Sequence, residues 1–442
     1  MNKAFLEGLQ SLTKKYGEKL NFSYSEWETD FLRFYRSKTN YNISNRINTL
    51  GCTVHRGKRA MSFSIDEPDI AGVEKKLQAV LAVIDGIPED PDFVDIENDT
   101  RAALAAETVN NITAVGLEKK IGLLNEIKRD AATKGFRIFG TFITNYVEHA
   151  VINSSGVFKT SVTSPFLLDV KAVKDDNDVT VIENTGGSDY GAFSEKDFRA
   201  SLSAKMDNAG KELIDMEPGR YEVVLSPSAT AEFMGYLLAL ANGGTLDSNN
   251  SFFEGKVGQK LFPETLTVTD DPLNPRLVRT PYNDEGRLLG KLPVIERGVF
   301  RNFFIDNYYG NKLKMDKNGN SGSNIVIGKG KIPLSDMIKG IKKGLFISNL
   351  HYMNFINPKE TSVTGLTRDG TFLIENGEIK NVVNNLRFTV KIEEVFRNAV
   401  EFEDREHVLA RSGNYGEFGI NTALAPHIKV KDFNITSSTK TV

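Results

Sequence analysis

The chain has 442 residues, 40% hydrophobic and 26% charged, with a net charge of −3. That length supports two or three domains with real cores. Nothing in the near-neutral charge suggests the basic stripe of a nucleic-acid protein, so nucleic acid is not an expected partner. The single cysteine, Cys52, excludes an internal disulfide and suits a reducing compartment. No stretch reaches the ~18 apolar residues of a membrane span, and the N-terminal segment has no apolar signal core, so a cytoplasmic protein is expected.

In chain order, residues 2–17 read as an amphipathic helix with Phe5, Leu9 and Leu12 on one stripe. A β meander follows through residue 66, with a turn at Arg56-Gly57-Lys58. Helical spacing returns from Pro68 to Ile84. A polar connector at 88–98 precedes a second helix–meander–helix series: a helix over 117–132, strands over 136–173 and a helix over 194–211. Two lobes, about 1–90 and 99–216, are therefore expected in an N-terminal α+β domain covering 1–216.

From residue 217 to 442 a β-rich domain is expected. It opens on Tyr221–Gly244, where alternating Tyr221, Val223 and Leu225 read as a strand. Ser226 then reads as an N-cap and Pro227 as the first helical residue. Phe233, Tyr236, Leu237 and Leu240 give a helix over 227–242 one apolar face, and Asn242-Gly243-Gly244 is expected to stop it. Beyond it, strand-like runs recur about every ten residues, which predicts an antiparallel sandwich or barrel. The fold class is α+β.

The residues Ala231-Glu232-Phe233-Met234-Gly235-Tyr236 stand where a His-Glu-x-x-x-His motif would lie. With Asn283-Asp284-Glu285-Gly286, Arg297-Gly298, Thr364-Gly365 and the run Phe372 to Ile379, this stretch resembles the TldD/PmbA family. That family was first described as modulators of DNA gyrase and later as a two-subunit metalloprotease. Its TldD subunit holds a metal with the two histidines. This chain keeps the glutamate and has Ala231 and Tyr236 in place of the imidazoles, so it looks like the TldE (PmbA) subunit type.

The resemblance implies a metal-free subunit of a TldD/TldE-type protease acting on unfolded peptides. Its partner would be a TldD-like metal-bearing chain, or a second copy of itself. Glu232 and His351 are the candidate catalytic residues, and Tyr236 and Arg368 the candidate substrate-binding residues. No metal ligands and no cofactor are expected. The competing expectations are a stand-alone hydrolase using Glu232 and His351, and a non-enzymatic peptide-binding protein. Beside each stands a plainer expectation: Glu232 held by an arginine or lysine, His351 a hydrogen-bonded strand residue, and Thr367-Arg368-Asp369-Gly370 a turn. Asp270-Asp271 and Asp284-Glu285 likewise read as turn chemistry. Of the five histidines, no two have the i, i+4 spacing of a helical metal site, and His407 is expected to be solvated.

Overall fold

A computed structural model describes residues 1–103, 108–412 and 418–438. The protein is α+β. The two N-terminal meanders meet in one seven-stranded sheet. Its order is Arg59–Asp66, Lys38–Arg56, Lys19–Tyr35, Phe136–Asn153, Phe166–Lys174, Thr180–Gly187, with Phe158–Thr163 also paired to Phe136–Asn153. The two expected lobes thus share a sheet, joined where Lys19–Tyr35 runs antiparallel to Phe136–Asn153.

Each half of that sheet carries its own helices. Lys3–Lys15 and Ile70–Val83 bury Phe5, Leu9, Val73 and Leu77 against Phe22, Leu50 and Val54. Leu117–Thr133 and Glu195–Ala209 bury Leu123, Ile127, Phe198 and Leu202 against Phe142, Leu168 and Val170. Each fully buried Leu or Phe contributes about 1.5–3 kcal/mol of transfer free energy. Cys52 lies in the first of these cores, and burial pushes its thiol up to about 12, so it is a packing residue.

The C-terminal half contains a closed barrel. Gly219–Leu225 lies between Lys343–Asn357 and Ile428–Ser438, which continues through Leu386–Lys391 to Ser362–Glu375. Lys343–Asn357 also pairs with Ser362–Glu375, and that pairing closes five strands on themselves. Closure removes the unpaired edges an open sheet would present. A six-stranded sheet stands beside it, and its final pair, Ile420–Ala425 with His407–Ser412, leads the chain back to the barrel.

Alternation along the barrel strands sends side chains two ways, as strand geometry requires. Val223, Leu225, Leu345 and Ile347 enter the barrel core, whereas Val224 and Phe346 pack with the N-terminal helices. The barrel is thus wedded to the N-terminal layer by a shared apolar face. Among the described residues no helix is long and apolar enough to cross a membrane.

Candidate functional site

The central helix spans Pro227–Leu238. Its start is the expected one: Ser226 Oγ accepts from Ala229 N at 3.3 Å, and Pro227 occupies the first turn. The Ser226 hydroxyl also donates to the Ser348 carbonyl, and Ser226 N donates to Ile347 O at 3.0 Å, so the helix start is tied to a barrel strand. The helix ends four residues before the expected stop. Asn242 instead caps a new short helix, Gly243–Asp247, by accepting from Thr245 N at 3.0 Å. Gly243 is there for space, since a Cβ would lie 2.4 Å from Tyr309 Cβ.

Phe233 is fully buried against Phe388 and Phe433 of the barrel strands, with ring centroids 5.6 and 6.0 Å away. That fixes the helix rotation and turns Glu232, one residue earlier, to the border of the core. Arg411 Nη2 donates to Glu232 Oε2 at 3.1 Å, to the Ser228 carbonyl at 3.2 Å and to Ser228 Oγ at 3.3 Å. Burial pushes the Glu232 carboxyl above its ordinary range, against the pull of the Arg411 charge.

Tyr236, one turn on, is engaged as well. Its hydroxyl donates to the Met353 carbonyl at 2.5 Å, and its ring meets Phe355 at 5.2 Å. Met353 sits where the pairing of Lys343–Asn357 with its neighbour slips, between His351 and Asn354. Tyr352, in the same irregularity, has φ 50° and is 73% exposed. His351 lies beside it with ring centroids 4.0 Å apart. Burial, and next the Arg368 charge, hold the His351 imidazole below its ordinary value.

Arg368 is not in a turn. It lies inside the strand Ser362–Glu375, opposite Asn349, and the expected turn residues Asp369 and Gly370 form an irregularity within the strand at φ 53° and 114°. Only glycine suits position 370, because a Cβ would also meet Ser348 Oγ at 2.6 Å. Asp369 is buried and gathers the neighbourhood. It pairs with Lys171 at 3.0 Å, accepts from Thr180 Oγ1 at 2.7 Å and lies 3.4 Å from Asn349 Nδ2. Asn349 Oδ1 is in turn 3.4 Å from Ser228 Oγ.

A continuous polar network therefore runs from Glu232 through Arg411, Ser228 and Asn349 to Asp369 and Lys171. Asp169, on the adjoining strand, accepts from Asn184 Nδ2 at 3.4 Å, and burial pushes its carboxyl up to about 6. Tyr236 reaches the 349–353 segment through the Met353 carbonyl, and the Arg368 charge acts on His351. Among the described residues no hydrogen bond or ion pair joins His351 to Glu232. Of three surface cavities, centred on Lys119 and Arg129, on His55 and Asp95, and on Thr389 and Asn434, none is lined by Glu232, Tyr236, His351 or Arg368.

These residues do not fit a metal on the helix. Ala231 offers a methyl group, the Tyr236 hydroxyl is committed to a carbonyl, and Glu232 to a guanidinium. A catalytic zinc site needs three protein ligands from imidazole, thiolate or carboxylate. Asp270 and Asp284 are likewise structural. Asp270 accepts from Asn324 N, Gly322 N and Asn320 Nδ2 at 3.0–3.1 Å and shapes that loop, and Asp284 Oδ1 accepts from Ser23 Oγ at 3.1 Å.

A further expectation is overturned. His407 is not simply solvated, for its Nε2 is 2.8 Å from Glu403 Oε2, which His427 Nδ1 also meets at 2.6 Å. The nearest sequence signal is Glu403-x-x-x-His407, but that spacing advertises a helix, whereas here His407 opens a strand.

Residues 218–437 match the model of the PmbA/TldA metallopeptidase C-terminal domain. The fold and the match together define a metallopeptidase-related α+β protein. Metalloprotease PmbA of Escherichia coli O157:H7 is 22% identical over 389 residues, 80% of this chain and 81% of that one. TldE of Thermococcus kodakarensis superposes with a TM-score of 0.84 at 21% identity, over 98% of this chain and 100% of that one. A protein from Thermotoga maritima MSB8 described as a modulator of a DNA gyrase gives 0.85 at 16% identity, over the same shares. The chain belongs to the TldD/PmbA family.

Proposed function

We infer that this chain is a TldE-like subunit that takes part in proteolysis without a catalytic metal on its central helix. The observation that carries this reading is the donor set at Ala231, Glu232 and Tyr236, where no position is open to a metal ion. Metal-assisted hydrolysis needs a Lewis acid and an activated water. A TldD-like chain would supply both, and this chain would help to enclose an unfolded or extended peptide. The irregular strand segment at His351–Phe355, in which Tyr352 and Asn354 are exposed, and the cationic Arg368 suit contact with peptide backbone and carboxylate groups. The similarity to proteins named TldE and PmbA supports the same reading.

The test is reconstitution. The chain is assayed on an unfolded polypeptide alone and after mixing with a TldD-like protein. Cleavage that requires the partner and is lost on chelation supports the reading. Robust cleavage by the chain alone, insensitive to chelator and abolished in Glu232→Gln, would replace it with the stand-alone hydrolase.

A further inference from the structure

We propose that Glu403, His407 and His427 form a binding site for a divalent transition metal of the zinc class. The site is separate from the central helix and comes from three different segments. Glu403 follows the strand Ala399–Phe402, His407 opens His407–Ser412, and His427 precedes Ile428–Ser438.

The backbone holds the three in place before any ion arrives. Glu403 N donates to His427 O at 3.0 Å, Gly330 N donates to Glu403 O at 2.7 Å, and His407 pairs with Ala425 across the hairpin. His407 opens a paired strand and the other two ligands sit next to strand ends, where backbone pairing places a side chain more precisely than a free loop does.

The donor chemistry is that of zinc. Two imidazole nitrogens and a carboxylate oxygen lie within 4.8 Å of one another. The rings are nearly perpendicular, at 89° with centroids 5.2 Å apart, so their nitrogens approach one point from different directions. Zinc bonds of about 2.0–2.2 Å in a tetrahedron separate donor atoms by roughly 3.3–3.6 Å. The nitrogens now sit 2.6 and 2.8 Å from Glu403 Oε2, so admitting an ion means opening the cluster by less than about 1 Å. The exposed edge can give, because His407 is 36% exposed while Glu403 is 3% exposed. That exposure leaves the fourth position to water.

The surroundings favour a cation. Glu403 brings a buried negative charge, and Arg405 approaches only its other oxygen, at 3.4 Å from a largely exposed position. Lys205, the lysine whose charge reaches His427, is paired with Glu183 at 3.0 Å. A bound ion would clamp the 403–407 turn to the connector that leads into the last barrel strand.

The experiment uses the full chain, free of any histidine tag and stripped with chelator. It is titrated with Zn²⁺ against a chromophoric competitor and with Co²⁺ by visible absorption. One equivalent per chain is expected, with the absorption of tetrahedral cobalt. Changing an outer partner of a metal ligand costs about 10–100-fold in affinity. Loss of a ligand in His407→Ala should cost at least that, with Glu232→Gln unchanged. His407→Gln, at the same exposed ligand, guards against loss of folding, which is checked by circular dichroism. Failure of the wild type to hold one equivalent, or unchanged binding in both His407 variants, would overturn the proposal. The titration needs no partner and no peptide, so its outcome is independent of the subunit reading.

Discussion

Arg411 Nη2 reaches Glu232 Oε2 at 3.1 Å, across 179 residues of sequence. The pair puts a guanidinium at the acidic position of the central helix. Because Arg411 is 47% exposed and Glu232 17%, the attraction is screened by solvent and is worth at most about 1 kcal/mol. Burial of the carboxylate opposes it. Glu232→Gln is therefore expected to move the unfolding free energy by less than about 1 kcal/mol. A denaturant titration checks this. A loss several times larger would mean that the carboxylate is a central structural anchor.

Asp169 sets a pH dependence. Its folded carboxyl titrates at about 6, against 3.8 for the ordinary group, because burial disfavours the charge. Between those values the folded chain holds more protons than the unfolded one, so this group's contribution to stability falls as pH rises through that window. Asp169→Asn removes the penalty and keeps a polar partner for Asn184. The variant should equal wild type near pH 3.5 and exceed it by up to about 3 kcal/mol at pH 7.5. Thermal unfolding at the two pH values decides it. Lower stability of the variant at the higher pH would contradict the assignment.

Tyr236→Phe tests the closed donor set from the other side. It strands the Met353 carbonyl at the strand irregularity and keeps the ring contact with Phe355. The expected cost is about 0.5–1.5 kcal/mol, with faster amide exchange confined to the 351–355 segment. Unchanged exchange there would show that the hydroxyl does not hold the segment.

What could be read from the chain and what could not divides along sequence separation. The central helix start was legible because capping is local: Ser226, Pro227 and the Phe233–Leu237 stripe lie within about three turns. The β-rich second half was legible from the regular spacing of its strands. The early end of the helix was not, because Asn242 reads equally well as a stop and as the cap of the next helix. Nor was the identity of the Glu232 partner, although an arginine or lysine was expected, since Arg411 arrives on a distant hairpin. The Arg368–Gly370 stretch has turn composition, yet pairing on both sides holds it in a strand, with the strain confined to Asp369 and Gly370. The Glu403–His407–His427 cluster was hidden for the same reason, because it exists only once Ala399–Phe402 has paired with Ile428–Ser438 and His407–Ser412 with Ile420–Ala425.

The most direct test of the central claim is peptide cleavage by this chain alone, by a TldD-like protein alone, and by the two mixed, each with and without chelator. A subunit with no catalytic metal on its central helix predicts no cleavage by the chain alone under any condition, with chelator-sensitive cleavage of an unfolded polypeptide in the mixture. Chelator-insensitive cleavage by the isolated chain, lost in Glu232→Gln, would contradict it.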